Sequence, residues 1–370
     1  MACTAGLPDV ILYGQVLLMS FGTTLLAHPL FILAYYAEKR KQTAVACAAA
    51  LVLAAFPWLG WLWAARHYGL HDISIFCSTQ SMIGGSLVIV GLAADTLPAA
   101  AKNTVGEFLE YITATPFPTY GPDGKALRPA PGAIREQLLQ IVKYHLLCGL
   151  AVSPINNLGG RPTSVLLHNR FDVPHWSVMW MSLMVDRLIS AVAVWTFLEY
   201  MFKVSGLLLL LKGKVPIQTF GNPIFGTKSI RGLWGRRWNM QWNQQFRVSC
   251  YKPLRKMGCG YVVASLATFS LSAATHEYQA YVSFDKYALG TMSRFFLLQG
   301  VYAAVETLFE QLLPPKSVDM IEGLPHIIKN TYAFFFVGVV TGPLFVDIWL
   351  DCGLFKGIAD MVLTMDCSST

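Results

Sequence analysis

Eight stretches of the chain are long and apolar enough to be read as membrane-spanning helices: 9–37, 43–64, 74–94, 134–155, 176–211, 258–284, 290–313 and 328–351. A helix needs ~20 apolar residues to cross the hydrocarbon core. Backbone polar groups find no water there, so loops and open sheet edges cannot face lipid and the spans must be helical. The pattern predicts an all-α, polytopic integral membrane bundle of about eight transmembrane helices, forming one membrane-embedded domain over 1–370. The fifth stretch is long enough to tilt, kink or divide into two short helices, and it contains Asp186 and Arg187. No internal repeat is visible, which weakens an inverted-repeat transporter reading.

Two polar segments interrupt the series. Residues 95–133, rich in Pro and Gly, read as a partly mobile loop with no usable motif. Residues 212–257 read as a basic loop with an interfacial helix. They hold ten cations (Lys212, Lys214, Lys228, Arg231, Arg236, Arg237, Arg247, Lys252, Arg255 and Lys256) and no acid, and no Asp or Glu occurs between Glu199 and Glu277. Loops rich in Lys and Arg stay cytosolic, so this segment and the short loop with Lys39, Arg40 and Lys41 should share that side. Five crossings from a lumenal N-terminus satisfy both. The first eight residues carry no Lys or Arg, so the basic start of a cleaved signal peptide is missing and Tyr13–Tyr36 reads as a retained span.

Composition agrees. Charged residues make up 13% of the chain, against about 25% in soluble domains. Several of the ten Trp flank apolar runs, as an interfacial belt requires. The eight cysteines (3, 47, 77, 148, 250, 259, 352 and 367) form no CxxC pair and no regular framework. Neither a disulfide scaffold nor a zinc site is expected.

Candidate chemistry concentrates in two places. The helix over 258–284 is uncharged except at Glu277, beside His276. Ionisable groups inside a membrane are expensive and face the bundle interior or water, which makes them functional candidates. A histidine there suits general-base work near neutrality, and small neighbours (Ser270, Ser272, Ala273, Ala274) allow close helix approach. In the basic loop, a continuous helix would place Trp234, Trp238, Trp242 and Phe246 on one face, with Gly235, Asn239, Asn243 and Arg247 beside them. Such a face fits an interfacial helix. The uncompensated cations invite an anionic partner: acidic headgroups, or a soluble phosphorylated donor such as coenzyme A. Nucleic acid is not expected in a polytopic chain without a recognition module. No P-loop, GxGxxG, GxSxG or HExxH is present.

"PIFGTKSIRGLWGRRWN" at 223–239, followed by "LSAATHEY" at 271–278, resembles the wax synthase branch of the membrane-bound O-acyltransferase superfamily. Leu233 and Gly232 depart from that signature. The resemblance implies transfer of an acyl group from acyl-CoA, as co-substrate and without metal or other cofactor, to a lipid alcohol. It maps the family's histidine onto His276 and the asparagine of its W–N pair onto Asn239, as catalytic residues. Trp234, Arg236, Arg237 and Trp238 would shape the site or position the donor, with Asn243 and Glu277 beside them. Endoplasmic reticulum membranes are the implied location, and homo-oligomerisation is left open. Long-chain alcohols are the favoured acceptors; sterols, diacylglycerol and terpenoid alcohols are alternatives. A proton-coupled transporter or a scaffold binding acidic lipid is the rival from another class.

Other ionisable residues carry weaker expectations. Asp186–Arg187 reads as a structural pair or a helix break, and Glu306 as a residue of the acceptor pocket or a structural partner to another helix. His28 and His145 read as packing or interfacial residues, while His67, His71, His168, His175 and His326 fall in or near loops.

Overall fold

The computed structural model describes residues 2–57, 70–158, 163, 175–284 and 287–368. Its long helices are α1 (Val10–Lys39), α2 (Thr43–Phe56), α3 (Asp72–Ala93), α5 (Ala133–Asn157), α6 (His175–Leu211), α10 (Tyr261–Ser283) and α11 (Thr291–Leu312). Shorter ones connect or close them: α4 (Val105–Thr113), α7 (Ile230–Arg236), α8 (Met240–Phe246), α9 (Lys252–Lys256), α12 (Pro315–Gly323), α13 (His326–Phe334), α14 (Gly342–Asp351) and α15 (Leu354–Met361). Strands β1 (Ala2–Gly6) and β2 (Thr364–Ser368) pair antiparallel, an element the hydropathy pattern does not contain. Leu363 N–H donates to His145 Nε2 and Met365 N–H to Ser153 Oγ, so α5 holds the approach to β2.

By length and composition, four helical segments can cross a bilayer among the described residues: α1, α3, α5 and the Met184–Leu211 part of α6. The bent pair His326–Gly338 and Gly342–Asp351 makes a fifth if it counts as one span. The expected eight are not reached on this measure, for physical reasons. Helix α2 has 14 described residues; residues 58–64 of its predicted span, and His67 beyond that span, lie outside the described residues. Helices α10 and α11 sit where spans were expected, but the Ser, Thr, Gln, His and Glu residues they carry lower their hydropathy. Helix α6 runs unbroken through Asp186. Asp186 is buried and accepts from the Thr163 N–H at 2.6 Å, so it marks no break. His168 and the side chain of His175 lie outside the described residues.

Helices α5 and α6 pack as one antiparallel pair, α10 and α11 as another, and α3 sits against α1, α2 and α10. Close approach between α10 and α11 depends on Gly300, where an added Cβ would lie 2.7 Å from the Cβ of Phe269. Helix α3 links two ends of the bundle. At its start, His71 accepts from the Ile73 N–H; at its end, Thr96 hydrogen-bonds the carbonyl of Val248 in the basic segment. At 1.5 Å per residue, the 22 residues of α3 separate these two ends by about 33 Å, close to one hydrocarbon thickness.

The 95–133 segment contains a helix and buried side chains tied to the rest of the bundle. Thr104 and Glu107 form a reciprocal N-terminal cap on α4, and Phe108, Tyr111 and Phe117 are buried. Buried Gln241 accepts from the Phe117 N–H at 2.8 Å and fixes this segment beneath the basic one.

Candidate active site

A cavity of about 520 Å³ runs through the bundle. One face of α10 forms its wall: Tyr261, Ser265, Thr268, Ser272, His276 and Gln279 recur every three or four residues along it. Tyr261 and His276 are fifteen residues apart, so the wall from mouth to histidine is about 22 Å long. Helix α11 runs antiparallel opposite, presenting Phe296 at the level of His276 and Gln311 near the mouth. Arg231, Arg247 and Tyr251 also lie at the mouth, where Arg255 covers the Tyr261 ring at 3.6 Å. The far end is apolar, with Phe345, Trp349, Leu354 and Ile358.

His276 is held on three sides. Its Nδ1 lies 2.8 Å from the Ser272 carbonyl oxygen, which can only accept, so Nδ1 carries the proton. A neutral imidazole with Nδ1–H has its lone pair on Nε2. The ring stacks on Phe296 at 4.1 Å and lies 5.8 Å from the Trp242 ring. Ser272 one turn earlier is a signal the sequence contained, since positions four apart share a helix face.

The motif segment does not form one continuous helix. Asn239 adopts a left-handed conformation (φ 42°) between α7 and α8, a region that asparagine tolerates better than most residues. Its Oδ1 accepts from the Trp242 N–H at 3.4 Å, capping α8. The chain reverses there, and Trp234, Trp238, Trp242 and Phe246 all line the cavity. The interfacial-helix expectation is corrected: Trp242 and Phe246 are 5% and 6% exposed, packed inward rather than toward lipid. Asn243, also in the lining, donates from Nδ2 to the Trp234 carbonyl at 2.8 Å and braces the reversal.

Three predicted site residues lie elsewhere. Exposed Arg236 is outside the lining. Arg237 turns back and donates to the Gly221 carbonyl at 2.5 Å, tying the loop before the motif to its end. Glu277 points away from the cavity because successive helix residues diverge by about 100°. Its carboxylate accepts from Gly290 N–H and, at 2.8 Å, from Ser293 N–H, closing the start of α11. Negative charge is favourable at such an end. Glu277→Ala should therefore lower thermal stability by about 2 kcal/mol while leaving turnover per folded molecule near wild type; unchanged melting with lost turnover would contradict this placement.

Glu306, expected to line the acceptor pocket or to partner another helix, takes the second role and clamps the start of α7. Its two carboxylate oxygens each accept at 2.8 Å, from Ile230 N–H and Arg231 N–H. Gln299 was missed by sequence reasoning, although a lone glutamine in "FFLLQGVY" was a signal. Fully buried, it accepts from Trp234 Nε1–H at 3.0 Å and donates to Thr341 Oγ1 at 2.6 Å. His28 donates from Nδ1 to the Thr24 carbonyl oxygen of its own helix at 2.7 Å, and His326 begins α13.

The cations of 212–257 are less bare than the sequence suggests. Lys214 meets Glu110 at 2.5 Å, Arg231 meets Glu310 at 2.7 Å and Lys256 meets Asp95 at 3.7 Å. Lys102 holds the Asp95 carboxyl below the usual carboxylate range. Burial, reinforced by Arg247 and Lys256, lowers the pKa of Lys252. Positive charge is thus crowded beside the mouth.

Residues 216–298, which carry the motif turn, His276 and the start of α11, match the model of the Membrane bound O-acyl transferase family. The chain is 28% identical over 116 residues to "Probable long-chain-alcohol O-fatty-acyltransferase 3" of Arabidopsis thaliana, covering 30% of this chain and 34% of that protein. It is 30% identical over 139 residues to "Probable long-chain-alcohol O-fatty-acyltransferase 7" of the same plant, covering 34% and 38%. The matched stretch spans about a third of the length of either relative. Across the segment that carries the motif turn and His276, the chain resembles the wax synthase-like branch of the membrane-bound O-acyltransferases.

Proposed function

We propose that the protein is an acyl-CoA-dependent O-acyltransferase of the endoplasmic reticulum that esterifies a long-chain alcohol. The observation that carries this reading is the position of His276: its proton is fixed on Nδ1 toward Ser272, at 2.8 Å, inside a cavity joining a basic mouth to an apolar end. The two ends suit two substrates. A phosphorylated donor head is held by cations at the water-facing mouth, and an aliphatic chain is buried beyond the histidine.

In the reaction, the alcohol oxygen attacks the thioester carbonyl carbon while Nε2 of His276 accepts the hydroxyl proton. Asn239 Oδ1 is already used as a cap, so Nδ2 is the group left to donate to the developing oxyanion. Collapse of the tetrahedral intermediate breaks the C–S bond, and the thiolate leaves with the proton from His276. The ester forms without an acyl-enzyme. Phe296, Trp242 and the other aromatic walls keep water from the thioester. Trp234 and Trp238 shape the site.

The reading is tested in membranes of a host without neutral-lipid acyltransferases, supplied with labelled acyl-CoA and a fatty alcohol, a sterol or diacylglycerol. A labelled wax ester is expected; ester from another acceptor would replace the alcohol assignment, and no ester from folded protein would overturn the reading. Arg247 at the mouth gives a second test. Arg247→Gln should raise KM for acyl-CoA about ten-fold, the loss of one charge-assisted contact, with kcat little changed. The difference should shrink at high salt, where exposed charges are screened; a KM unaffected by both changes would remove the mouth from donor binding.

A further inference from the structure

A second, smaller pocket of about 160 Å³ lies at the end of the molecule away from the basic mouth. Its lining differs in character from that of the large cavity: His71, Asp72 and Lys356 face it, beside Phe284 and Cys352. His71 Nε2 lies 3.9 Å from Asp360 Oδ2, and Lys356 Nζ reaches the same carboxylate at 3.3 Å. The side chains of His71 and Lys356 are 38% and 73% exposed, so charged and polar groups at this pocket reach solvent.

Among the described residues, Leu354 is the one that lines both spaces. It opens α15, immediately after Gly353 in a left-handed turn (φ 82°), and is 5% exposed. The rest of the partition is aromatic. Phe76 and Trp349 face the large cavity and Phe284 faces the small pocket, with ring centroids 5.7–5.8 Å apart around the triangle. Ile358, one turn beyond Leu354, continues the apolar floor.

Building on the acyltransferase reading, we infer that Leu354 is a specificity-determining residue that sets the longest unbranched aliphatic chain the cavity accepts. A chain entering past His276 gains with each buried methylene until its terminal methyl meets Leu354. Further extension would have to displace that side chain and place apolar carbon among His71, Asp72 and Lys356. Those polar groups would lose water without gaining a partner, which is costly. The limit is therefore sharper than contact with a soft apolar wall would make it. The measured chain belongs either to the acyl donor or to the alcohol, and the same wall serves for both.

The test compares wild type, Leu354→Ala, Leu354→Phe and the volume-conserving Leu354→Met in graded series of saturated acyl-CoAs with one alcohol, then graded alcohols with one acyl-CoA. Leu354→Ala should shift the length optimum upward and Leu354→Phe downward. The ratio of the longest to the shortest substrate should change by roughly ten-fold or more, as single methylenes in enzyme pockets do. The series that moves identifies which chain is measured. A readout without turnover uses purified His276→Ala protein, with and without the Leu354 changes, and records thermal stabilisation by the same acyl-CoAs and fatty alcohols. If wild type makes no ester but stabilisation by long chains still depends on residue 354, the activity reading fails and the chain limit stands. If Leu354→Ala does not fold, the Met and Phe variants decide. Length profiles unchanged in both readouts for folded variants overturn the inference.

Discussion

Replacing His276 by alanine is expected to lower ester formation by two to four orders of magnitude while leaving the protein folded, the range typical of removing a general base. The expectation rests on geometry. Nδ1 is committed to the Ser272 carbonyl, so the proton-accepting lone pair is on Nε2, and Phe296 and Trp242 fix the ring plane. Alanine removes the base and leaves room for water between the two aromatic walls. His276→Gln keeps most of the volume and a possible donor to Ser272, but cannot accept and hold a proton at neutral pH. It should be nearly as inactive as alanine. Elution of the purified variants as single species, with melting close to wild type, separates lost chemistry from lost fold. A folded His276→Ala enzyme keeping more than about a tenth of wild-type turnover would remove the histidine from the chemical step.

Asn239 carries the second large effect, and two substitutions separate its roles. The residue turns the chain at φ 42° and caps α8. In Asn239→Ala the left-handed backbone costs about 1–2 kcal/mol and the lost cap about 1 kcal/mol more, so stability and activity should both fall. Asn239→Gly accepts the same backbone without strain and costs only a few tenths of a kcal/mol as a cap. If Nδ2 donates to the oxyanion, the folded glycine variant should still lose roughly a hundred-fold or more in kcat, as removal of one such donor does elsewhere. Near-wild-type turnover in Asn239→Gly would confine the residue to shaping the turn.

Much of this arrangement was legible in the sequence, and the part that was not has a common cause. Helices α1, α3, α5, α10 and α11 begin and end within a few residues of the apolar runs, because hydropathy and helix length are local properties. His276 stood out for the same reason, as an ionisable group in a run that otherwise excludes them. The turn at Asn239 did not stand out. Trp234, Trp238, Trp242 and Phe246 keep a four-residue spacing whether or not a helix joins them, so periodicity could not register the reversal. The partners of Glu277 and Glu306 were equally hidden. Glu277 reaches 13 and 16 residues ahead to Gly290 and Ser293, and Glu306 reaches 76 and 75 residues back to Ile230 and Arg231. The surplus of positive charge over 212–257 looked larger than it is, because Glu110, Glu310 and Asp95 lie outside that window.

The clamp at Glu306 also has a consequence for biosynthesis. The motif segment leaves the ribosome well before the carboxylate that fixes its amides, and Gln299, which orients Trp234, is likewise still to come. Until α11 has been made and packed beside α10, two anchors of the motif turn are missing, whatever the earlier helices have done. A nascent chain arrested before Glu306 should therefore fail to organise the motif turn even with His276 already in its helix. The order of synthesis would then delay any chemistry at His276 until the aromatic walls around it are in place.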